Sequence, residues 1–249
     1  MAQLPEAPDA GPVPEGRGFW RKIRDWGVIL LAALAAALLL RAFVLEALRV
    51  PSRSMEPSLL PGDFVIVSKL PESRVKRGEV YAFRVPSGVG HGESVFVKRC
   101  VAGPGDSVAV ADGCLLVNGV RSDPPGVMAE STGAPVVVRR GWVIPRPGES
   151  IVLHDSVLYL WHSLIEREGH RAVATSGGSV LLDGKPAASY RVEQNHYFVV
   201  GDNREESYDS RRWGLLPEQA LLGRVILVYW SWDDEHSAVR WGRLGTIVR

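Results

Sequence analysis

Three polar clusters in the sequence carry residue types that break covalent bonds in other proteins. The first is Pro51-Ser52-Arg53-Ser54-Met55-Glu56-Pro57-Ser58-Leu59, with two serines one residue apart between prolines that favour an extended, stiff backbone. The second is Val97-Lys98-Arg99, inside a β-patterned run that ends in Gly103-Pro104-Gly105-Asp106. The third runs from Gly201-Asp202-Asn203-Arg204 through Ser207, Asp209 and Arg211 to Gly214. A serine hydroxyl is a weak nucleophile until a base takes its proton. Lysine is that base only when neutral, and at an ordinary pKa of ~10.4 about one in a few thousand is neutral near pH 7. Burial against apolar atoms lowers that pKa. Strand alternation allows Lys98 to point inward, near Phe96, Val97 and Val101, while Arg99 points the other way. The chemistry therefore requires Lys98 to be buried without a carboxylate partner. Each cluster alone has a plainer reading: a linker turn, an exposed charge on a strand, a solvated or salt-bridged loop.

The elements that must position these residues are legible in outline. The chain has 249 residues, enough for one large domain or a domain with a lobe. Residues 1–18 are rich in Pro, Gly, Ala and acids and read as a disordered tail, with a cytoplasmic segment drawn to residue 22. Arg17, Arg21, Lys22 and Arg24 precede the uncharged run WGVILLAALAAALLL, and Arg41 interrupts apolar character that resumes to Leu45. The lack of a small-x-small junction favours a retained membrane helix, Trp26 to Leu45 within an anchor drawn at 23–47, over a cleaved signal peptide. The basic cluster places the N-terminus in the cytoplasm and residues 48–249 outside. These read as mostly β, with strands expected at Phe64–Ser68, Val80–Val85, Ser94–Val101, Ser107–Ala111, Leu115–Asn118, Val136–Arg139, Ser179–Leu182, Tyr197–Val200 and Val225–Trp230. Asp112-Gly113, Asn118-Gly119 and Asp183-Gly184 suit hairpin turns. One helix is expected over Asp155–Glu168, with Asp155 as its cap.

In this order, and behind an N-terminal anchor, the clusters resemble the bacterial type I signal peptidase family. Its P-S-x-S-M-x-P-[ST]-L, G-D, K-R to P-G-D, and G-D-N-R-x-x-S-x-D-S-R boxes match Pro51 to Leu59, Gly62 to Lys69, Lys98 to Asp106, and Gly201 to Trp213. The resemblance spans roughly residues 23–120 and 190–230. It implies a mainly β fold: a coiled-barrel-like catalytic core, a second β-rich lobe inserted over 121–190, and one N-terminal transmembrane helix. It implies Ser54 as nucleophile and Lys98 as general base. Ser52 and the Ser54 N–H would form the oxyanion hole, and Ser207 would orient the lysine. Val50 and Val97, with Leu48 as a weaker candidate, would line pockets for small side chains. Arg99–Asp202 and Asp209–Arg211 would be supporting ion pairs. The implied substrates are exported preproteins cut after Ala-x-Ala-like sites at the outer face of the bacterial cytoplasmic membrane. The implied partners are those preproteins and the lipid bilayer, with no cofactor or metal. Arg53 departs from the pattern, standing where the family often has Gly.

Other classes fit less well. A net charge of +1 and the absence of a basic, aromatic-interleaved stripe argue against nucleic acid. Cys100 and Cys114 lack metal-ligand spacing; they read either as small buried hydrophobes or as a disulfide between neighbouring strands. No G-x-S-x-G elbow exists for a Ser-His-Asp hydrolase. Self-cleaving repressors with a similar Ser/Lys pair carry a DNA-binding N-terminus, not a membrane span. A membrane-anchored, non-catalytic binding module for exported chains is the alternative of a different kind. The presence of Ser54, Lys98 and Ser207 weighs against it.

Overall fold

The computed structural model describes residues 16–70, 74–84, 95–111, 114–122 and 142–248. The tail before Gly16, the expected turn at Asp112-Gly113 and the expected strand Val136–Arg139 lie outside these residues. Helix α1 spans Gly16–Phe43. It begins within the segment read as a tail, because the Arg, Trp, Lys and Ile that follow Gly18 propagate a helix into the Ala/Leu run. It also stops before the expected anchor boundary, since Leu45–Arg49 forms a strand. Its Arg24–Phe43 stretch is 20 residues of mean hydropathy 2.2, with none of them buried. That length matches a bilayer's hydrocarbon core.

Residues 45–248 form a separate compact unit. Its main sheet contains β1 (Leu45–Arg49), β2 (Asp63–Ser68), β3 (Val80–Arg84), β4 (Val95–Ala102), β5 (His196–Val200), β6 (Leu216–Pro217) and β7 (Leu221–Asp233). Their order is β1-β2-β7-β3-β4-β5-β6, antiparallel throughout. β2, DFVIVS, alternates buried and half-buried residues, as a strand with one core face must. β7 runs well past its expected ends and pairs with both β2 and β3, through register shifts at Val225/Leu227 and Leu221/Gly223. Such bulges increase local twist and bend a sheet. The sheet curls into a half-barrel, so β1 at one edge and β4, four strands away in the order, line the same cavity.

Inside the curl Val50, Met55, Leu59, Val65, Val67, Val80, Ala82, Val225 and Val228 form one apolar core. The tight turn into β2 needs Gly62, whose φ is +88° and where a Cβ would lie 2.0 Å from the Trp232 carbonyl oxygen. The second lobe is built from short sheets and α2 (Asp155–Arg167). It starts earlier than expected, because Ser107–Ala111 and Cys114–Val117 pair into the same sheet as Trp142–Val143. Its core is continuous with Val101, Ala102, Phe198 and Val200 of β4 and β5, so it packs as part of the same unit. The α2 cap is His154, whose Nδ1 accepts from the Ser156 N–H; Asp155 is the first helical residue. Both cysteines are free, and burial pushes the Cys100 thiol up to about 12.

Candidate active site

The structure brings the three polar clusters together. Ser54 sits in a single 3-10 turn, Arg53–Met55, closed by the Glu56 N–H on the Arg53 carbonyl at 3.0 Å. The extended backbone expected here is therefore limited to the flanks, Ser52 and Glu56. The peptide bond between Glu56 and Pro57 is cis. The turn leaves the Ser54 N–H among the first amides of a helix, which have no intrahelical acceptor. The Ser52 Oγ lies 3.2 Å from the Ser54 Oγ.

Lys98 projects from β4 and its Nζ donates a hydrogen bond to the Ser54 Oγ. Lys98 is 4% exposed and Ser54 6%. Burial lowers the Lys98 pKa from 10.5 to about 8, outweighing the nearby Asp209, which acts in the opposite direction. No carboxylate pairs with Lys98 among the described residues, and the Phe96 ring centroid is 5.6 Å from its Nζ. A lysine in this setting is close to neutral under mildly alkaline conditions and touches the hydroxyl it would deprotonate.

Arg99 is equally buried, at 3%, but faces away and clamps all three clusters. Its Nε and Nη2 donate to Asp202 at 2.8 and 2.6 Å, Nη2 to the Ser58 Oγ at 3.2 Å, and Nη1 to the Gly78 carbonyl at 2.5 Å. The third cluster leaves β5 at Gly201, where a Cβ would stand 2.3 Å from both the Ser54 carbonyl oxygen and the Ser207 Oγ. Only glycine permits that approach. The Asn203 N–H then reaches the Ser54 carbonyl at 3.1 Å. Asp209 caps the short helix α3 (Ser210–Trp213), accepts from the Gly201 N–H at 2.9 Å and pairs with Arg211 at 2.9 Å. The Ser207 Oγ is buried and makes no hydrogen bond, so its expected contact with Lys98 is not made in this geometry.

A cavity of about 330 Å³ opens over Ser54 and Lys98. Leu48, Val50 and Val97 all line it, joined by Met55, Glu206 and Tyr208. Its walls are mostly apolar and its floor holds the Ser/Lys pair.

A model of the family "Signal peptidase, peptidase S26" matches residues 23–230. The chain belongs to the signal peptidase family. Similar proteins include the signal peptidase I of Pseudomonas aeruginosa, 29% identical over 84% of this chain and 73% of that one. The signal peptidase I of Aquifex aeolicus is 30% identical over 82% of this chain and 83% of that one. A crystal structure of a signal peptidase I from Enterococcus faecalis V583, 19% identical, covers 62% of this chain with a TM-score of 0.30. Family membership makes the chain a peptidase. With one apolar helix near the N-terminus, it is also consistent with membrane anchoring.

Several residues around this signal peptidase site escaped the sequence reading. Asp63 is fully buried and pairs with Arg243 at 2.5 Å, while Arg243 Nη2 also holds the Ser58 carbonyl at 3.0 Å. The Gly62-Asp63 box pointed to Asp63, but nothing local marks an arginine 180 residues away as its partner. Ser58 and Asn203 lay inside quoted motifs, and their contacts depend on the tertiary packing.

Proposed function

We propose that the chain is a signal peptidase I that removes signal peptides from exported preproteins, with Ser54 as nucleophile and Lys98 as general base. The observation that carries this reading is the buried Lys98 amine nitrogen on the Ser54 hydroxyl, with no carboxylate among the described residues to hold its charge. Neutral Lys98 takes the Ser54 proton as Oγ attacks the carbonyl carbon of the scissile peptide. The developing oxyanion accepts from the Ser54 N–H and the Ser52 hydroxyl, donors of the kind that lower acyl-transfer barriers most. Lys98 then gives its proton to the leaving amine as the C–N bond breaks, leaving an ester on Ser54. A water, deprotonated by Lys98, hydrolyses that ester and frees the signal peptide. Rotation of the Ser207 hydroxyl toward Lys98 would fix the amine's orientation during these transfers.

The substrate fits as an added strand. β1 is a sheet edge, and β4 residues 95–98 extend beyond their pairing with β5, which reaches only Arg99. Two backbone edges unpaired among the described residues thus face the same cavity, the arrangement used in strand addition. Side chains on one face of the added strand enter the cavity lined by Leu48, Val50 and Val97, which accommodates small apolar groups such as Ala-x-Ala. The α1 helix spans the cytoplasmic membrane with its basic end in the cytoplasm, and residues 48–249 work outside, where signal peptides emerge. The reaction uses no metal or cofactor. The test is cleavage of a preprotein in lipid by wild type, Ser54→Ala and Lys98→Ala. Mature product from wild type alone is expected; equal activity in Lys98→Ala would remove the dyad.

A further inference from the structure

The cavity over Ser54 and Lys98 shares a wall residue with another. Tyr208 lines both it and a second, larger cavity of about 740 Å³. The two differ in character. Apolar residues wall the first, whereas the second is lined largely by charged groups, Glu166, Arg167, His170, Arg171, Asp183 and Arg212 among them. The acids there are engaged: Asp183 meets His170 at 2.7 Å and Glu166 meets His162 at 3.3 Å. Arg167 donates to the carbonyls of Trp213, at 2.7 Å, and Leu215. Arg171 and Arg212 are different. Both are exposed, and neither guanidinium has a carboxylate partner among the described residues, the Asp183 carboxylate meeting Arg171 only at its backbone N–H, at 2.8 Å. The groove therefore presents two guanidinium groups free to meet an anion.

We propose that this second groove receives the segment of the preprotein that follows the scissile bond, and that Arg171 and Arg212 favour acidic side chains in it. The inference rests on the signal peptidase reading of Ser54 and Lys98. Its own support is the match of polarity along one path. The apolar cavity over Ser54 suits the end of a signal peptide. The adjoining charged groove suits a chain that is polar and destined for water. Tyr208, one residue beyond the buried Ser207, forms the boundary that the extended chain crosses. An extended chain advances ~3.3 Å per residue, so about six residues after the bond span roughly 20 Å.

The experiment uses the full-length enzyme in lipid and three preproteins, identical except for two Asp, two Ser or two Lys among about the first six residues after the cleavage site. For each enzyme the ratio of kcat/KM for the Asp and Lys substrates is read, so a general loss of activity does not move it. Exposed ion pairs are modest, so a wild-type ratio of roughly ten is expected for two contacts. It should fall toward one in Arg171→Gln/Arg212→Gln and invert in Arg171→Glu/Arg212→Glu. Raising the salt concentration should shrink the wild-type ratio. A wild-type ratio near one, or a ratio unmoved by the substitutions, overturns the inference while leaving the Ser/Lys reading intact. Failure of wild type to cleave any of the three, or cleavage that survives Ser54→Ala, overturns both.

Discussion

Replacing Lys98 with methionine should abolish cleavage and yet stabilise the protein at neutral pH. Folding buries this lysine to 4% exposure and lowers its pKa from 10.5 to about 8. Each pKa unit corresponds to ~1.4 kcal/mol, so keeping Lys98 charged in the folded state costs about 3 kcal/mol of stability below pH ~8. Losing its hydrogen bond to Ser54 offsets ~1 kcal/mol of the gain, leaving Lys98→Met about 2 kcal/mol more stable at pH ~7. The pH dependence has a definite sign. The folded pKa lies below the unfolded one, so between about 8 and 10.5 the unfolded chain binds more protons, and stability rises with pH. Wild type should gain on Lys98→Met across that window and lose the gain on acidification through it. Urea unfolding in detergent, followed by fluorescence of the 8 tryptophans at several pH values, measures both quantities. A methionine variant no more stable than wild type at neutral pH, with parallel stability profiles, would refute the burial argument.

Three further outcomes are expected. Signal-peptide cleavage should rise with pH through about 8 as Lys98 loses its proton, and Lys98→Arg should be inactive at every pH, because a guanidinium stays protonated. Gly201→Ala places a methyl against the Ser54 carbonyl and the Ser207 hydroxyl; thermal unfolding should show a loss of ~1–3 kcal/mol. Its kcat should drop while the cavity lined by Val50 and Val97 is retained. Asp202→Ala takes the Asp202 carboxylate from the buried Arg99 guanidinium, and denaturant titration should report ~3–5 kcal/mol of destabilisation. The joint replacement Arg99→Met/Asp202→Leu should lose less than Asp202→Ala alone.

Local patterns sufficed for part of this protein. The uncharged Ala/Leu run specified a helix, and alternation in segments such as DFVIVS specified strands, because both periodicities are properties of neighbouring residues. The four boxes that hold Ser54, Gly62-Asp63, Lys98 and the Gly201 cluster, in that order, carried the resemblance to the family. Where apolar character continued past a change of structure, as from α1 into β1, composition could not mark the boundary; pairing of Leu45–Arg49 with β2 decided it. Tertiary packing also decided what makes the site chemical. Lys98 meets a serine 44 positions earlier because the sheet curls, and that same enclosure removes it from water and lowers its pKa. The ties from Arg99 to Ser58 and Asp202, and from Arg243 to Asp63, join residues that no local window contains. The state of Cys100 and Cys114 was likewise open, and the second lobe, expected from 121, was seen to begin at Ser107 only once the strands were paired. Sequence determined which residues were available for the chemistry; the curl of one sheet determined which of them touch, and how dry the contact is.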